Sequence, residues 1–381
     1  MDFSWTDEQL RLKASIVEFA RKELNENLIE RDHEGGLSRE NWQKCADFGI
    51  HGLAVPEEFG GSGFDLLTTI MALEGLGYGC QDNGLIFAIN AQMWAVQTPI
   101  LRFGSAEQKA RYLPALVDGR IIGANATTEP GSGSDSFGLS TKAEKNGDRY
   151  RLNGTKTFIT NAPYADLFLV FATLDKARGF MGITAFLIDK ETPGLSVSRA
   201  IEKLGLRTAE FGQVILQDCE VGPENRLGHE GNGGVIFTNA MNWERAAILA
   251  SHLGMLERQL ERCVEHGKTR RQFGKPIGSF QLVSSKIVNM KTRLETARLL
   301  LYKAGWSLAQ GLDAIQESAM AKLYLSECAV QSSLDAIQIF GASGFTKECQ
   351  IERDLRDSVG SKIYSGTSEI QMEIIARSLG L

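Results

Sequence analysis

Proline disappears from this chain after Pro276, and the sequence then runs to Leu381 without another. An interior proline removes a helical hydrogen bond and clashes with the preceding turn, so its absence permits long uninterrupted helices. Leu294, Ala297, Leu301, Ala304 and Leu308 recur at helical spacing there. Met320, Leu323, Ala329 and Val330 follow the same period less cleanly. Stripes of this kind are buried most simply in a helical bundle.

The N-terminal third also reads as helical. Thr6-Asp7-Glu8-Gln9 has the form of a capping box, followed by Leu10, Ala14 and Val17. Pro56 to Gly63 is a loop by composition, and Thr68 to Gly75 and Ile86 to Gln97 are further helices. Gln108 to Pro114 closes this region. From about Gly123 the texture changes. Asn153-Gly154 between Tyr150-Arg151-Leu152 and Thr155-Lys156-Thr157-Phe158-Ile159 predicts a hairpin turn. Leu167 to Ala172, Ile183 to Ile188 and Val214 to Leu216 predict strands of an antiparallel sheet. It ends near Asn225-Arg226-Leu227-Gly228, where helices resume.

Composition narrows the function classes. Hydrophobic content of 43% and charged content of 23% are those of a globular protein with a large core. A net charge of −6 argues against nucleic-acid binding. No apolar run is long enough for a membrane span, and no signal-peptide pattern opens the chain, so the expected location is cytoplasmic. The six cysteines form no CxxC pair and no metal-ligand spacing, and no metal is expected.

Two short runs carry most of the chemical information. In Ala126-Thr127-Thr128-Glu129-Pro130-Gly131-Ser132-Gly133-Ser134-Asp135 the glycines permit a tight loop whose backbone N–H groups approach a ligand. Hydroxyls of Thr128 and Ser134 add further donors. The second run is Tyr364-Ser365-Gly366-Thr367-Ser368-Glu369-Ile370-Gln371-Met372-Glu373. The pair resembles the flavin-binding and C-terminal signatures of the acyl-CoA dehydrogenase family. Further motifs follow in family order: Lys156 to Asn161, Arg270-Arg271-Gln272-Phe273-Gly274-Lys275 with Gln281, and Asp335 to Phe345. The resemblance covers the chain from about residue 6 to its end.

It implies a mainly α fold with a central antiparallel, β-barrel-like domain. An N-terminal helical domain over 1–122, a β domain over 123–226 and a C-terminal four-helix bundle over 227–381 are expected. The implied cofactor is FAD, held by Ala126, Thr128, Gly133, Ser134, Phe158, Ile159, Thr160, Arg270, Phe273, Gln281, Gln338, Gly341, Thr367 and Glu369. Phe158 stands where the family usually has tryptophan. Arg270 would reach the FAD pyrophosphate of a neighbouring subunit, which implies a homodimer or homotetramer.

Most family members carry their catalytic glutamate at the position of Ser365. A serine hydroxyl is too weak an acid to stand in for that carboxylate. The resemblance to the isovaleryl and long-chain branches points instead to Glu244, in Asn242-Trp243-Glu244-Arg245-Ala246-Ala247. Ser365 would keep a backbone N–H donating to the thioester carbonyl, with Ser134 and Arg245 also at the substrate. The pairing of these two segments resembles the prolyl-carrier-protein dehydrogenases and oxidases. That implies proline tethered as a thioester to phosphopantetheine on an acyl or peptidyl carrier protein. Oxygen or an electron-transfer flavoprotein would be the electron acceptor. A short or branched-chain acyl-CoA is the alternative substrate; a flavin monooxygenase and a non-catalytic flavin binder are the other readings.

Overall fold

A computed structural model of the chain describes residues 4–381. Its first helix, Asp7–Glu23, opens on the expected capping box, Thr6 accepting from the Gln9 N–H and the Gln9 side chain accepting from the Thr6 N–H. Its buried face is Ile16 and Ala20; Leu10 is exposed, so the apolar stripe sits one position off the predicted one. The helices Leu66–Gly79 and Asn83–Gln92 contain the two expected helical runs, and the second continues through a π-helical turn, Met93–Gln97. The segment expected to close at Pro114 continues as helix to Val117.

The middle of the chain forms one sheet. Its strands are β1 (Gly123–Ala126), β2 (Lys142–Asn146), β3 (Arg149–Thr160), β4 (Leu167–Thr173), β5 (Ile183–Asp189), β6 (Leu195–Val197), β7 (Phe211–Val221) and β8 (Arg226–Leu227). The order is β6-β7-β3-β2-β4-β5-β8, with β1 beside β4. Two expectations are corrected here. The sheet is mixed, because β1 and β2 both run parallel to β4. The hairpin turn lies at Asn146-Gly147-Asp148, where Gly147 has φ 64°, and Asn153-Gly154 is inside the continuous strand β3. The register against β7 slips between Leu152 and Gly154, so this second Asn-Gly makes a bulge.

Every residue of β4 from Leu167 to Ala172 is essentially inaccessible. Phe168 and Val170 face a core shared with Leu152 and Phe186, and Leu167, Leu169 and Phe171 face one shared with Leu113 and Ile236. A strand covered on both faces loses the alternation of a half-exposed one.

The remaining helices are Gly233–Ala247, Ala250–Thr269, Gln281–Ala309, Ile315–Phe340, Ile351–Gly360 and Ser368–Ser378. Met290, Leu294, Ala297, Leu301 and Ala304 are buried as the period predicts. In the next helix the buried stripe runs through Ser318, Ala321, Leu325, Ala329 and Ala336, leaving Met320, Leu323 and Val330 at its margin. One core joins N-terminal and C-terminal helices, from Ile16 and Leu73 to Leu253, Leu301 and Leu325. Gly77 and Gly254 let the helices Leu66–Gly79 and Ala250–Thr269 meet backbone to backbone. A Cβ at either would lie 1.9–2.0 Å from a carbonyl oxygen of the other helix.

Candidate active site

Glu244 lies on the buried face of the helix Gly233–Ala247, only 7% exposed. Its Oε1 accepts a hydrogen bond from the Ser365 hydroxyl, and its Oε2 has no partner among the described residues. Burial pushes the carboxyl above the ordinary glutamate range; the Ser365 hydrogen bond and the charges of Arg245 and Lys322 oppose that shift. A buried carboxylate with one oxygen held and the other unpaired can take up a proton.

Ser365 belongs to the turn between the helices Ile351–Gly360 and Ser368–Ser378. Its φ is 57° and that of Gly366 is 90°, so two successive residues adopt left-handed backbone. The turn is pinned through its carbonyls. Ser365 O accepts from Arg245 Nε at 3.2 Å and Gln371 Nε2 at 3.1 Å. Gly366 O accepts from Lys322 Nζ at 2.7 Å and Gln371 Nε2 at 2.9 Å. Thr367 caps the last helix by accepting from the Ile370 N–H. Glu369 is exposed in that helix's first turn, its carboxyl held below the usual range by its own backbone N–H and by Thr367. Among the described residues the Ser365 N–H donates to no group of the chain. The Tyr364 ring packs 4.4 Å from Phe87, and its hydroxyl meets His252 Nε2 at 3.5 Å. Burial lowers His252 to about 4 and raises Tyr364, so both are neutral near pH 7.

The glycine-rich loop after β1 is held from behind by a buried ion pair. Lys156 Nζ lies 2.8 Å from Glu129 Oε1 and 3.2 Å from the Thr127 carbonyl. The Glu129 carboxylate also accepts from the N–H groups of Ser140 and Thr141 and from the Thr141 hydroxyl. Burial lowers Lys156 to about 8. The Thr128 carbonyl accepts from the Thr157 N–H at 2.8 Å, joining the loop to β3. Ala126 and Ile159 are buried and Thr160 half-buried. Phe158 is 58% exposed at φ 57°, a backbone state rare for a bulky residue. Gly131 and Gly133 have open space where a side chain would stand. Among the described residues the N–H groups of Gly133 and Ser134 donate to nothing in the chain. An accessible aromatic face beside free donors and an uncrowded glycine loop fits a flavin ring.

Arg270, Phe273, Gln281, Gln338 and Gly341 are all exposed, Phe273 by 91%. They lie near one end of the bundle, where His266 stacks on Phe340 with ring centroids 4.2 Å apart. Among the described residues no hydrogen bond joins them to the loop at 126–135. Thus Glu244, Arg245 and Ser365 come together directly, whereas the expected cofactor residues fall into two groups.

Lys322 and Gln371 were not anticipated as supports of the turn. Lys322 occupies the buried stripe of its helix, four residues after Ser318 and three before Leu325. A lysine on an otherwise small and apolar stripe is the signal that marks it.

Family models describing the N-terminal, middle and C-terminal domains of acyl-CoA dehydrogenase match residues 6–120, 124–219 and 231–380. The chain belongs to the acyl-CoA dehydrogenase family. It is 45% identical to the L-prolyl peptidyl-carrier-protein dehydrogenase of Pseudomonas fluorescens, over the whole length of both chains. The crystal structure of the prolyl acyl carrier protein oxidase AnaB superposes with a TM-score of 0.98 at 49% identity, covering 99% of this chain and 100% of that one. PigA, solved with FAD and proline, superposes with a TM-score of 0.98 at 44% identity over all of both chains. No described helix is long and apolar enough to cross a membrane.

Proposed function

We propose that this protein is an FAD-dependent dehydrogenase of a prolyl thioester carried on the phosphopantetheine arm of a peptidyl or acyl carrier protein. The observation that carries the reading is Glu244: a buried carboxylate with a free oxygen, set against a serine at the position where most relatives hold their base. Full-length likeness to a prolyl-carrier-protein dehydrogenase and to AnaB and PigA supports the substrate class.

In this reading Glu244 removes the α proton of the prolyl thioester. The free Ser365 N–H donates to the thioester carbonyl as negative charge builds on it, and the clamps on the Ser365 and Gly366 carbonyls hold the two peptide planes that follow it. Arg245 acts through that clamp, and Ser134 lies at the loop that faces the substrate. Bound FAD would accept hydride from the β carbon and pass its electrons to oxygen or an electron-transfer flavoprotein. Ala126, Thr128, Gly133, Ser134, Phe158, Ile159, Thr160, Thr367 and Glu369 hold it from one subunit. Arg270, Phe273, Gln281, Gln338 and Gly341 serve the site of a neighbour, because their exposure leaves them free for one. The chain acts as three domains, 1–122, 123–226 and 227–381, in a homodimer or homotetramer.

Incubation with prolyl-loaded carrier protein tests the reading. Flavin bleaching with loss of two hydrogens from the loaded carrier is the expected result. An unchanged carrier mass alongside bleaching by isovaleryl-CoA would overturn it in favour of a branched acyl-CoA.

A further inference from the structure

We infer that the Ser365 hydroxyl is a positioning group for the base: it fixes Glu244 Oε1 and so selects Oε2 as the atom that takes the α proton. The inference rests on the assignment of Glu244 as base. It gives the Ser365 side chain a task separate from that of its backbone N–H.

Three observations converge on it. The hydroxyl donates directly to Oε1, while Oε2 is buried and unpartnered. Serine is also the wrong residue for the backbone it occupies. At φ 57° glycine is the unstrained choice, and the next residue is indeed glycine. A side chain kept in a strained conformation points to something the side chain does. Finally, the strain is held by groups whose hydrogen bonds go to backbone carbonyls and not to the hydroxyl: Arg245 and Gln371 on the Ser365 carbonyl, and Lys322 and Gln371 on the next one. The turn is therefore built to present this hydroxyl at a defined place.

The charged and titratable groups acting on Glu244 are Arg245 on its own helix, Lys322 from the helix Ile315–Phe340 and Tyr364 from the turn. Arg245 and Lys322 favour the carboxylate, and so does the hydroxyl. Tyr364 is neutral near pH 7. Removing the hydroxyl leaves burial opposed by the two cations alone, so the base binds its proton more tightly. A base works only when deprotonated, so the acid limb of the rate profile then moves to higher pH.

The test is single-turnover flavin reduction of the FAD-loaded enzyme against pH, for the parent, Ser365→Ala, Ser365→Gly and Glu244→Gln. The substrate is whichever thioester, prolyl-carrier or acyl-CoA, reduces the parent. Both serine variants are expected to retain FAD and lose rate at pH 7 by roughly 10-fold or more. Their acid limb should move up by about one pH unit, as loss of a hydrogen bond to a charged group predicts. Glycine relieves the backbone strain and alanine does not, so a purely conformational role would separate the two. If Glu244→Gln is inactive while both serine variants keep the parental rate and profile, the hydroxyl has no such role. The same holds if only alanine is impaired. If Glu244→Gln reduces flavin at the parental rate, the base assignment itself falls.

Discussion

The buried cluster around Glu244 and the exposed end of the bundle around Arg270 differ in how far one chain completes them. In the cluster each part is held by another part of the same molecule. Ser365 meets Glu244, Arg245 and Gln371 hold the Ser365 carbonyl, and Lys322 holds the next. At the bundle end, Arg270, Phe273 and Gln281 stand in the open, and Leu282 and Phe345 beside them are 85% and 80% exposed. Large apolar side chains exposed together mark an interaction surface. The contrast separates a side-chain cluster that one chain completes from an exposed surface that one chain leaves uncovered.

The strongest way to break the first half of this comparison is Glu244→Gln. It should keep FAD and lose flavin reduction by about 100- to 10,000-fold, the range for a removed general base. Stopped-flow bleaching measures it, and a parental rate would remove Glu244 from the reaction.

Next is the pair behind the flavin loop. Lys156→Met leaves Glu129 buried without its partner, which costs about 3–5 kcal/mol of stability. Urea unfolding should show that loss, accompanied by reduced FAD content. Lys156→Met combined with Glu129→Gln should recover part of it, since no unpaired charge then remains. An unchanged midpoint for the single variant would mean that the loop does not depend on the pair.

The smallest effect falls on the second region. Arg270→Ala should weaken FAD retention by roughly 10- to 100-fold, the worth of a lost charge-assisted hydrogen bond to phosphate. It should leave Glu244-dependent chemistry intact at saturating FAD. Retention in the parent should fall on dilution below the subunit dissociation constant. FAD titration at two protein concentrations measures both, and retention independent of Arg270 and of dilution would make the bundle end irrelevant to the cofactor.

Several features were legible before any coordinate. The capping box at Thr6, the core strands and the proline-free helices follow from local chemistry, and the signature runs place Glu244, Ser365 and the glycine loop in one family order. Other features misled. Two Asn-Gly pairs occur within a few residues of each other, at Asn146 and Asn153, and local preference cannot say which one turns the chain. Pairing of β3 with both β2 and β7 decides it, keeping β3 continuous through Gly154. Parallel pairing of β1 with β4 was hidden for a similar reason, because strand direction is set by partners distant in sequence.

The amino-acid order by itself determined the helix–sheet–helix arrangement and the family resemblance, with a serine in the C-terminal signature and a glutamate on an earlier helix. Only the tertiary structure decided that these two side chains touch, that Lys322 and Gln371 clamp the turn between them, and that Oε2 is the oxygen left free. Ser365 and Glu244 are 121 positions apart. Their contact depends on how two helix ends are packed against one core, and no local propensity encodes that distance.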